Sequence, residues 1–165
     1  MEKMWSPWRS AYIDSFSNKK DEHCIFCNVD ENNINDDDSL VIFVSELSFV
    51  VLNLYPYNNG HLMVVPKRHL NDFSLMSFEE RTDVMRLIDL SITALKKTCN
   101  PHGFNIGANI GKAAGAGIDD HLHFHIVPRW NGDTNFMPVL GEVKVISKEL
   151  LQTKKELINA FKEII

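Results

Sequence analysis

The stretch His121-Leu-His-Phe-His-Ile-Val127, here called the histidine segment, alternates histidine with apolar residues. Side chains two residues apart lie on the same face of a β-strand. The alternation therefore predicts a strand that directs Leu122, Phe124 and Ile126 toward a core and the three histidines toward a polar site. Histidines on one face of a strand lie about 6.8 Å apart, which favours separate chemical roles. The alternatives are solvated histidines on an exposed strand and a three-histidine zinc site.

A loop of small residues, Gly111-Lys-Ala-Ala-Gly-Ala-Gly117, directly precedes the histidine segment. It lacks the G-x-x-x-x-G-K-[ST] pattern of a Walker loop. Because glycine lets backbone N–H groups approach phosphate oxygens closely, Gly115 and Gly117 are candidate phosphate-binding residues. A plain turn is the alternative, but the position next to the histidines favours phosphate binding.

The rest of the chain predicts an α+β fold. Short runs rich in Val, Leu, Ile and Phe are typical of strands, and the short links between them favour antiparallel neighbours. Ser77 and Glu80 form a capping box for a helix that continues to Thr98, and an amphipathic helix is expected from Ser147 onward. Pro128 is expected to end the strand that carries the histidines. The predicted strands are residues 40–45, 49–54, 61–66, 104–110, 121–127 and 142–146.

The composition limits the possible classes of protein. A length of 165 residues predicts one domain, and a net charge of −5 argues against nucleic acid as a partner. The apolar runs are too short for a membrane helix, and the N-terminus lacks the apolar core of a secretory signal. Three cysteines in such a chain are typical of a reducing compartment, so a cytoplasmic location is expected. The acidic residues 28–38 are interpreted as a solvated linker within the domain.

The cysteines offer one further motif, the pair Cys24-Ile-Phe-Cys27. Such a pair is consistent with a redox site, half of a zinc site or chance, and two further nitrogen or sulfur ligands would decide. Cys99 and His102 lie near the predicted end of the helix and are interpreted as structural or incidental.

Together these motifs resemble one known family. The histidine segment resembles the signature of the histidine-triad (HIT) family of nucleotide hydrolases and transferases. Residues 53–61 and 62–69 resemble the first conserved region of that family, and the resemblance extends over about residues 4–147. The stretches that resemble the branch containing diadenosine tetraphosphate phosphorylases are residues 5–9, 111–121, 127–130 and 132–137.

The resemblance implies an α+β, HIT-like fold, in which an antiparallel sheet of about five strands carries a packed helix and a C-terminal helix. It also implies a two-fold homodimer. The whole chain, residues 1–165, would be a single HIT domain. Within it, residues 1–38 form an N-terminal segment with the C-x-x-C pair, residues 39–147 the catalytic core and residues 148–165 the C-terminal helix.

The resemblance also implies a mechanism. His123, in the middle of the triad, would be the nucleophile that forms a covalent nucleotidyl-histidine. This role requires a neutral imidazole whose other nitrogen carries a proton held by a backbone carbonyl. His125 would donate to a phosphate oxygen or assist the leaving group, whereas His61 would support the triad from the neighbouring strand and His121 would complete it.

A nucleotide site follows from the same resemblance, with the AMP unit of a dinucleotide as its ligand. Asn53 matches the position that holds the ribose hydroxyls, and Asn109 matches the polar position before the glycine loop with Gly115 and Gly117. Trp130 follows the histidine segment and is predicted to stack on the distal base. A core position for this tryptophan is the alternative.

The resemblance supplies ligands for structural zinc as well. In several relatives a C-x-x-C pair joins the histidine of a P-x-x-H stretch and the first histidine of the triad. Here these residues are Cys24, Cys27, His69 and His121, a closed Cys₂His₂ set. An ordinary surface role for His69 and substitution by His23 are the alternatives.

The resulting hypothesis is an enzyme that cleaves dinucleoside polyphosphates of the diadenosine tetraphosphate type through a nucleotidyl-histidine. The alternatives are a nucleoside phosphoramidase, which cleaves adenylated amines, and a noncatalytic nucleotide-binding protein. An intact triad argues against the noncatalytic alternative. Some members of the branch carry a serine for phosphate in the glycine loop, where this chain has Ala113, Ala114 and Ala116. The missing hydroxyl weakens the case for phosphorolysis over hydrolysis.

Overall fold

The computed structural model describes residues 24–133 and 148–165. Its strands are β1 (Val41–Val44), β2 (Ser48–Leu52), β3 (Leu62–Pro66), β4 (Gly103–Gly107) and β5 (Phe124–Arg129). Its helices are α1 (Asn32–Asn35), α2 (Phe78–Cys99) and α3 (Leu150–Ile164). The strands form one antiparallel sheet in the order β1-β2-β3-β5-β4, which confirms the predicted α+β class. The strand predicted at 142–146 lies outside the described residues. Within them, no helix combines the length and apolar character required to cross a membrane.

Helix α2 begins where the capping box predicts. The Ser77 hydroxyl accepts a hydrogen bond from the Glu80 N–H, and the Glu80 carboxylate accepts one from the Ser77 N–H. Arg68 donates two hydrogen bonds of 2.7 Å to the same carboxylate. This pair joins the start of the helix to the segment after β3, which carries His69. Asn100 ends the helix in the left-handed conformation, with φ 44°.

The two faces of the sheet pack against different neighbours, and His125 lies on the second of them. The first face packs against α2 and α3 in the main core, whose buried members include Leu52, Leu62, Leu87, Leu95, Ile126 and Leu157. The second face carries a smaller apolar cluster of Phe26, Val41, Val44, Phe49, Met63 and Val65. His125 pairs with Met63 across strands, so its side chain lies on the second face.

The turn before β3 requires glycine. Gly60 has φ +75°, and a Cβ at this position would lie 2.9 Å from the Leu95 side chain. The turn can therefore approach α2 closely only because residue 60 has no side chain. This approach places His61, which is fully buried, directly before β3.

The strand that carries the histidines begins later than predicted, at Phe124. The residues before it bond outside the sheet ladder. The Leu122 N–H donates to the Leu70 carbonyl at 2.6 Å, and the His121 carbonyl bonds to the His123 ring. The predicted alternation survives because this segment stays extended enough to bury Leu122 in the main core.

The predicted end of the strand at Pro128 is wrong, because β5 continues to Arg129. β3 pairs with β5 only as far as Ile126, so Pro128 lies beyond the ladder on that side. There its carbonyl accepts a hydrogen bond from Asn58 instead of from a strand. A proline is tolerated where no ladder hydrogen bond requires its missing N–H.

A buried lysine ties the N-terminal part of the described chain to α3. The Lys154 ammonium donates to the carbonyls of Asp36 and Ser39 at 2.6 and 2.8 Å. Burial lowers the pKa of Lys154, and the two carbonyl bonds offset part of the cost of burying its charge. Residues 36–39 are thereby held against α3.

Candidate active site

A cavity of about 470 Å³, here called the first cavity, opens on the second face of the sheet. Residues from the N-terminal segment, β1, β2 and the glycine loop form its walls. The predicted catalytic and substrate-binding residues that line it are Asn53, Asn109, Gly115, Gly117, His123 and His125. The fold therefore brings together six positions that are separated by up to 72 residues in the sequence, from 53 to 125.

The backbone sets the orientation of the His123 ring. Its Nδ1 lies 2.9 Å from the His121 carbonyl oxygen. A carbonyl can only accept, so Nδ1 carries the proton and Nε2 of the neutral ring carries a lone pair. Burial lowers the pKa of His123 below its ordinary value, which keeps the ring neutral at pH 7.

A relay of hydrogen bonds orients His125. The Tyr57 N–H donates to Nδ1 of His61 at 3.0 Å, so the proton of the neutral His61 ring is on Nε2. This Nε2 lies 3.0 Å from Nδ1 of His125 and donates to it. The proton of His125 is then on Nε2. Burial, with a smaller effect from His123, lowers the pKa of His125 from 6.5 to about 4.

Two amides flank these histidines. Asn53 is buried, its Oδ1 accepts from the Tyr55 N–H at 2.9 Å and its Nδ2 lies 3.3 Å from Nδ1 of His61. Asn109 lines the cavity just after β4 and before the glycine loop. That loop folds into a compact turn that ends at Gly115, with φ 86°.

Behind the histidine segment, Cys24, Cys27, His69 and His121 form a second constellation. Their ligand atoms all lie within 4.8 Å of one another. Nδ1 of His121 lies 3.2 Å from Sγ of Cys24 and 3.9 Å from Sγ of Cys27. Nδ1 of His69 lies 3.4 Å from Sγ of Cys27. The four residues are those expected from the sequence.

The donor set fits a zinc ion. Tetrahedral zinc with Zn–S bonds of ~2.3 Å and Zn–N bonds of ~2.0–2.1 Å separates its ligand atoms by about 3.3–3.8 Å. His121 donates its Nε2–H to the Pro66 carbonyl at 2.8 Å, which directs the lone pair of Nδ1 toward the thiols. Burial raises the pKa of the Cys24 thiol to about 11, and a bound cation would favour its thiolate form.

Phe26 connects the two constellations, although the sequence does not single it out. Its ring centroid lies 5.6 Å from that of His121 and 5.4 Å from that of His123. Phe26 is 4% exposed, whereas its neighbour Ile25 is 61% exposed. The C-x-x-C pair could have indicated that Phe26 is buried, because a turn that brings both cysteines together directs one of the two intervening side chains inward.

The acidic residues 28–38 were predicted to be a solvated linker, but part of this segment also lines the first cavity. Most of their side chains are exposed, but Asn28, Asn33, Asp36 and Asp38 line the first cavity. Val29 and Ile34 pack on the apolar cluster of the second face, and this packing holds the segment over the sheet. Hydrophilic composition alone could not reveal this position.

Trp130 lies directly after β5 and is half-buried. Its backbone N–H donates to the Asp133 carboxylate at 3.0 Å. Among the described residues, Trp130 is not one that lines the first cavity. Stacking of its ring on a distal base therefore stays a prediction.

Known proteins match this chain in sequence. The pattern of the HIT domain family matches residues 35–132. A Mycobacterium tuberculosis protein named AP-4-A phosphorylase is 37% identical over 163 residues, 95% of this chain and 83% of that protein. Adenosine 5′-monophosphoramidase from Schizosaccharomyces pombe is 31% identical over 108 residues, 66% of this chain and 75% of that protein.

A solved structure matches as well. A zinc-bound histidine-triad family protein from Mycobacterium smegmatis has a TM-score of 0.63 and 25% sequence identity with this chain. The match covers 76% of this chain and 86% of that chain. The family pattern covers more than half of the sequence, and the sheet, the histidine segment and the relatives agree with it. The chain therefore belongs to the HIT domain family.

Proposed function

We propose that this chain cleaves dinucleoside polyphosphates of the diadenosine tetraphosphate type by transferring an AMP unit to His123. The observation that carries this proposal is the 2.9 Å hydrogen bond from Nδ1 of His123 to the His121 carbonyl, which leaves Nε2 as a nucleophile. The relatives support the reaction class: the chain is a HIT-family enzyme of the nucleotide hydrolase or phosphorylase type.

In the proposed first step, the Nε2 lone pair of His123 attacks the α-phosphorus. A P–N bond forms, the P–O bond to the bridging oxygen breaks, and its electron pair leaves with the polyphosphate. The His121 carbonyl stabilises the positive charge that develops on the ring. In the second step, water or inorganic phosphate attacks the same phosphorus, the P–N bond breaks and the lone pair returns to His123. An attacking water releases its proton to solvent.

His125 is proposed to stabilise the leaving group through its Nε2–H. With a pKa of about 4, the ring is neutral at pH 7 and donates a hydrogen bond rather than a proton. A polyphosphate needs no more than this, because a terminal phosphate titrates at roughly pH 6. An amine leaving group must gain a proton, so the phosphoramidase alternative would require a proton donor in addition to this hydrogen bond.

The first cavity is proposed to bind the AMP unit. Its volume of about 470 Å³ lies within the ~300–1,000 Å³ that is typical of small-molecule sites. Asn53 is proposed to hold the ribose hydroxyls, because its side chain is buried beside the histidine relay. Asn109 and the loop with Gly115 and Gly117 are proposed to contact phosphate from the opposite side.

We also propose structural zinc at Cys24, Cys27, His69 and His121. The distances between the four ligand atoms and the zinc-bound structure from Mycobacterium smegmatis support this site. The ion would close a tetrahedral site and link the C-x-x-C pair to the histidine segment. Because the carbonyl of His121 orients His123, a fixed His121 would also help to orient the nucleophile.

A two-fold homodimer of single-domain chains, residues 1–165, is proposed as well. β4 is one of the two edge strands of the described sheet. Ile106 on β4 and Met85 and Phe78 on α2 are 49%, 64% and 78% exposed. Two-fold pairing is the commonest way to cover such surface. Light scattering at micromolar concentration should give twice the chain mass of 18.9 kDa, and a monomer would contradict the proposal.

Product analysis tests the proposed reaction. The protein is incubated with diadenosine tetraphosphate, with and without inorganic phosphate. AMP plus ATP indicates hydrolysis, and ADP plus ATP indicates phosphorolysis; either outcome supports the proposed cleavage. No turnover in either condition contradicts it. Adenosine 5′-phosphoramidate serves as the parallel substrate, and a higher kcat/KM for this compound would favour the phosphoramidase alternative.

A further inference from the structure

A second cavity of about 440 Å³ lies beside the first one. Its floor is the face of β4 and β5 that carries Asn105, Gly107 and Val127, and the turn with Tyr57 and Asn58 forms one side. Cross-strand pairing of Asn105 with Val127 and of Gly107 with His125 shows that this floor continues the histidine face of the sheet.

The two cavities meet at His125. Tyr57, Asn109 and His125 line both of them, whereas His123 lines the first cavity but is not among the residues that line the second. A ligand that extends from the first cavity into the second therefore crosses a boundary formed by Tyr57, Asn109 and His125. The two volumes, about 470 and 440 Å³, are nearly equal.

We propose that the second cavity binds the leaving half of the substrate, the second nucleoside with its attached phosphates. This inference rests on the proposed function. In phosphoryl transfer the attacking atom and the leaving oxygen lie roughly in line on opposite sides of phosphorus. An AMP unit in the first cavity with its α-phosphorus at His123 directs the leaving group past His125.

The lining of the second cavity includes an ion pair, Arg129 with Asp133. Arg129 donates to the Asp133 carboxylate at 2.7 and 2.8 Å, and to Oδ1 of Asn105 at 2.7 Å. Asn58 donates to the same carboxylate at 2.8 Å. These bonds hold the guanidinium in place, and its remaining N–H groups suit phosphate oxygens. Preorganisation of this kind reduces the entropy cost of binding.

A glycine keeps the floor of this cavity open. A Cβ built on Gly107 has no heavy atom within 4 Å, and the backbone there does not have the left-handed φ that disfavours other residues. A larger side chain at 107 would therefore extend into the cavity without backbone strain. Gly103 lies on the same strand and face, has equally open space, and does not line the cavity.

The experiment compares Gly107→Leu with Gly103→Leu as the matched control. For each protein, kcat/KM is measured for diadenosine tetraphosphate and for the p-nitrophenyl ester of AMP, whose leaving group is small. In Gly107→Leu the ratio of the two values is expected to fall at least about tenfold, whereas Gly103→Leu should keep the wild-type ratio. If Gly107→Leu does not fold, Asn105→Leu, at an exposed position on the same floor, replaces it.

The outcomes separate this inference from the proposed function. Equal losses for both substrates in Gly107→Leu, or no loss, overturn the second-cavity assignment alone. A changed mass in light scattering assigns the cavity to contact between copies and also overturns it. If the wild-type protein turns over neither substrate, the proposed function fails, and this inference fails with it.

Discussion

His121 and His123 lie two residues apart, and both rings are buried and bond to a backbone carbonyl, yet they do so through opposite nitrogens. His121 bonds through Nε2 to the Pro66 carbonyl, and His123 bonds through Nδ1 to the His121 carbonyl. The remaining nitrogen of His121 faces two thiols, whereas His123 lines the first cavity. The acceptor next to each ring, rather than the residue type, therefore determines the chemistry that each histidine can perform.

Substitution of His123, the proposed nucleophile, should have the strongest effect on turnover. His123→Ala should reduce turnover of diadenosine tetraphosphate at least about a thousandfold, because the covalent route requires the nucleophile. AMP binding, measured by calorimetry, should survive. The control His102→Ala removes an exposed histidine outside the site and should retain turnover. Activity of His123→Ala within about tenfold of wild type would exclude the assignment.

Loss of the proposed zinc ligand Cys24 should affect His121, the other member of this pair of histidines. Protein purified without added metal should contain about one zinc per chain by elemental analysis. Cys24→Ser should lose that zinc and lower the melting temperature by about 10 °C, since zinc ligation contributes several kcal/mol. Cys99→Ser is the matched control because Cys99 lies outside the cluster. A metal-free wild-type protein that is folded and active would refute the site.

A smaller effect is expected at the end of the hydrogen-bond relay. His125→Ala should reduce turnover about a hundredfold, because it removes a hydrogen-bond donor to the leaving group but leaves the nucleophile. Labelled nucleotide should still accumulate covalently on the protein, which distinguishes this variant from His123→Ala. If both variants fail to form the labelled intermediate, His123 and His125 do not have separate roles.

The last prediction concerns Trp130, which is not among the described residues that line either cavity. If its ring stacks on the distal base, Trp130→Ala should weaken binding of diadenosine tetraphosphate by roughly ten- to a hundredfold, the equivalent of ~1–3 kcal/mol. AMP affinity and melting temperature should remain almost unchanged. Equal losses for the two ligands, or a large fall in melting temperature, would instead assign Trp130 to the core.

The sequence predicted the sheet and the main helix well because their signals are local. The capping box of Ser77 and Glu80 satisfies the first turn of α2 from within four residues, so the predicted start is correct. The ends of β5 depend on distant partners instead. The Leu122 N–H donates to the Leu70 carbonyl, and Pro128 lies beyond the last residue of β5 that pairs with β3. The sequence of this segment alone shows neither contact.

The sequence alone determined the family and the fold class, because alternation, capping and motif spacing are properties of neighbouring positions. The candidate residues followed from the family resemblance that those motifs carry. The tertiary structure decided which ring nitrogen of each histidine is exposed, because the carbonyls, the Tyr57 N–H and the thiols that orient the rings come from other segments. It also decided that Phe26 and several of residues 28–38 line the first cavity. Burial and hydrogen-bond geometry arise only when distant segments pack together, so the composition of a segment could not reveal them.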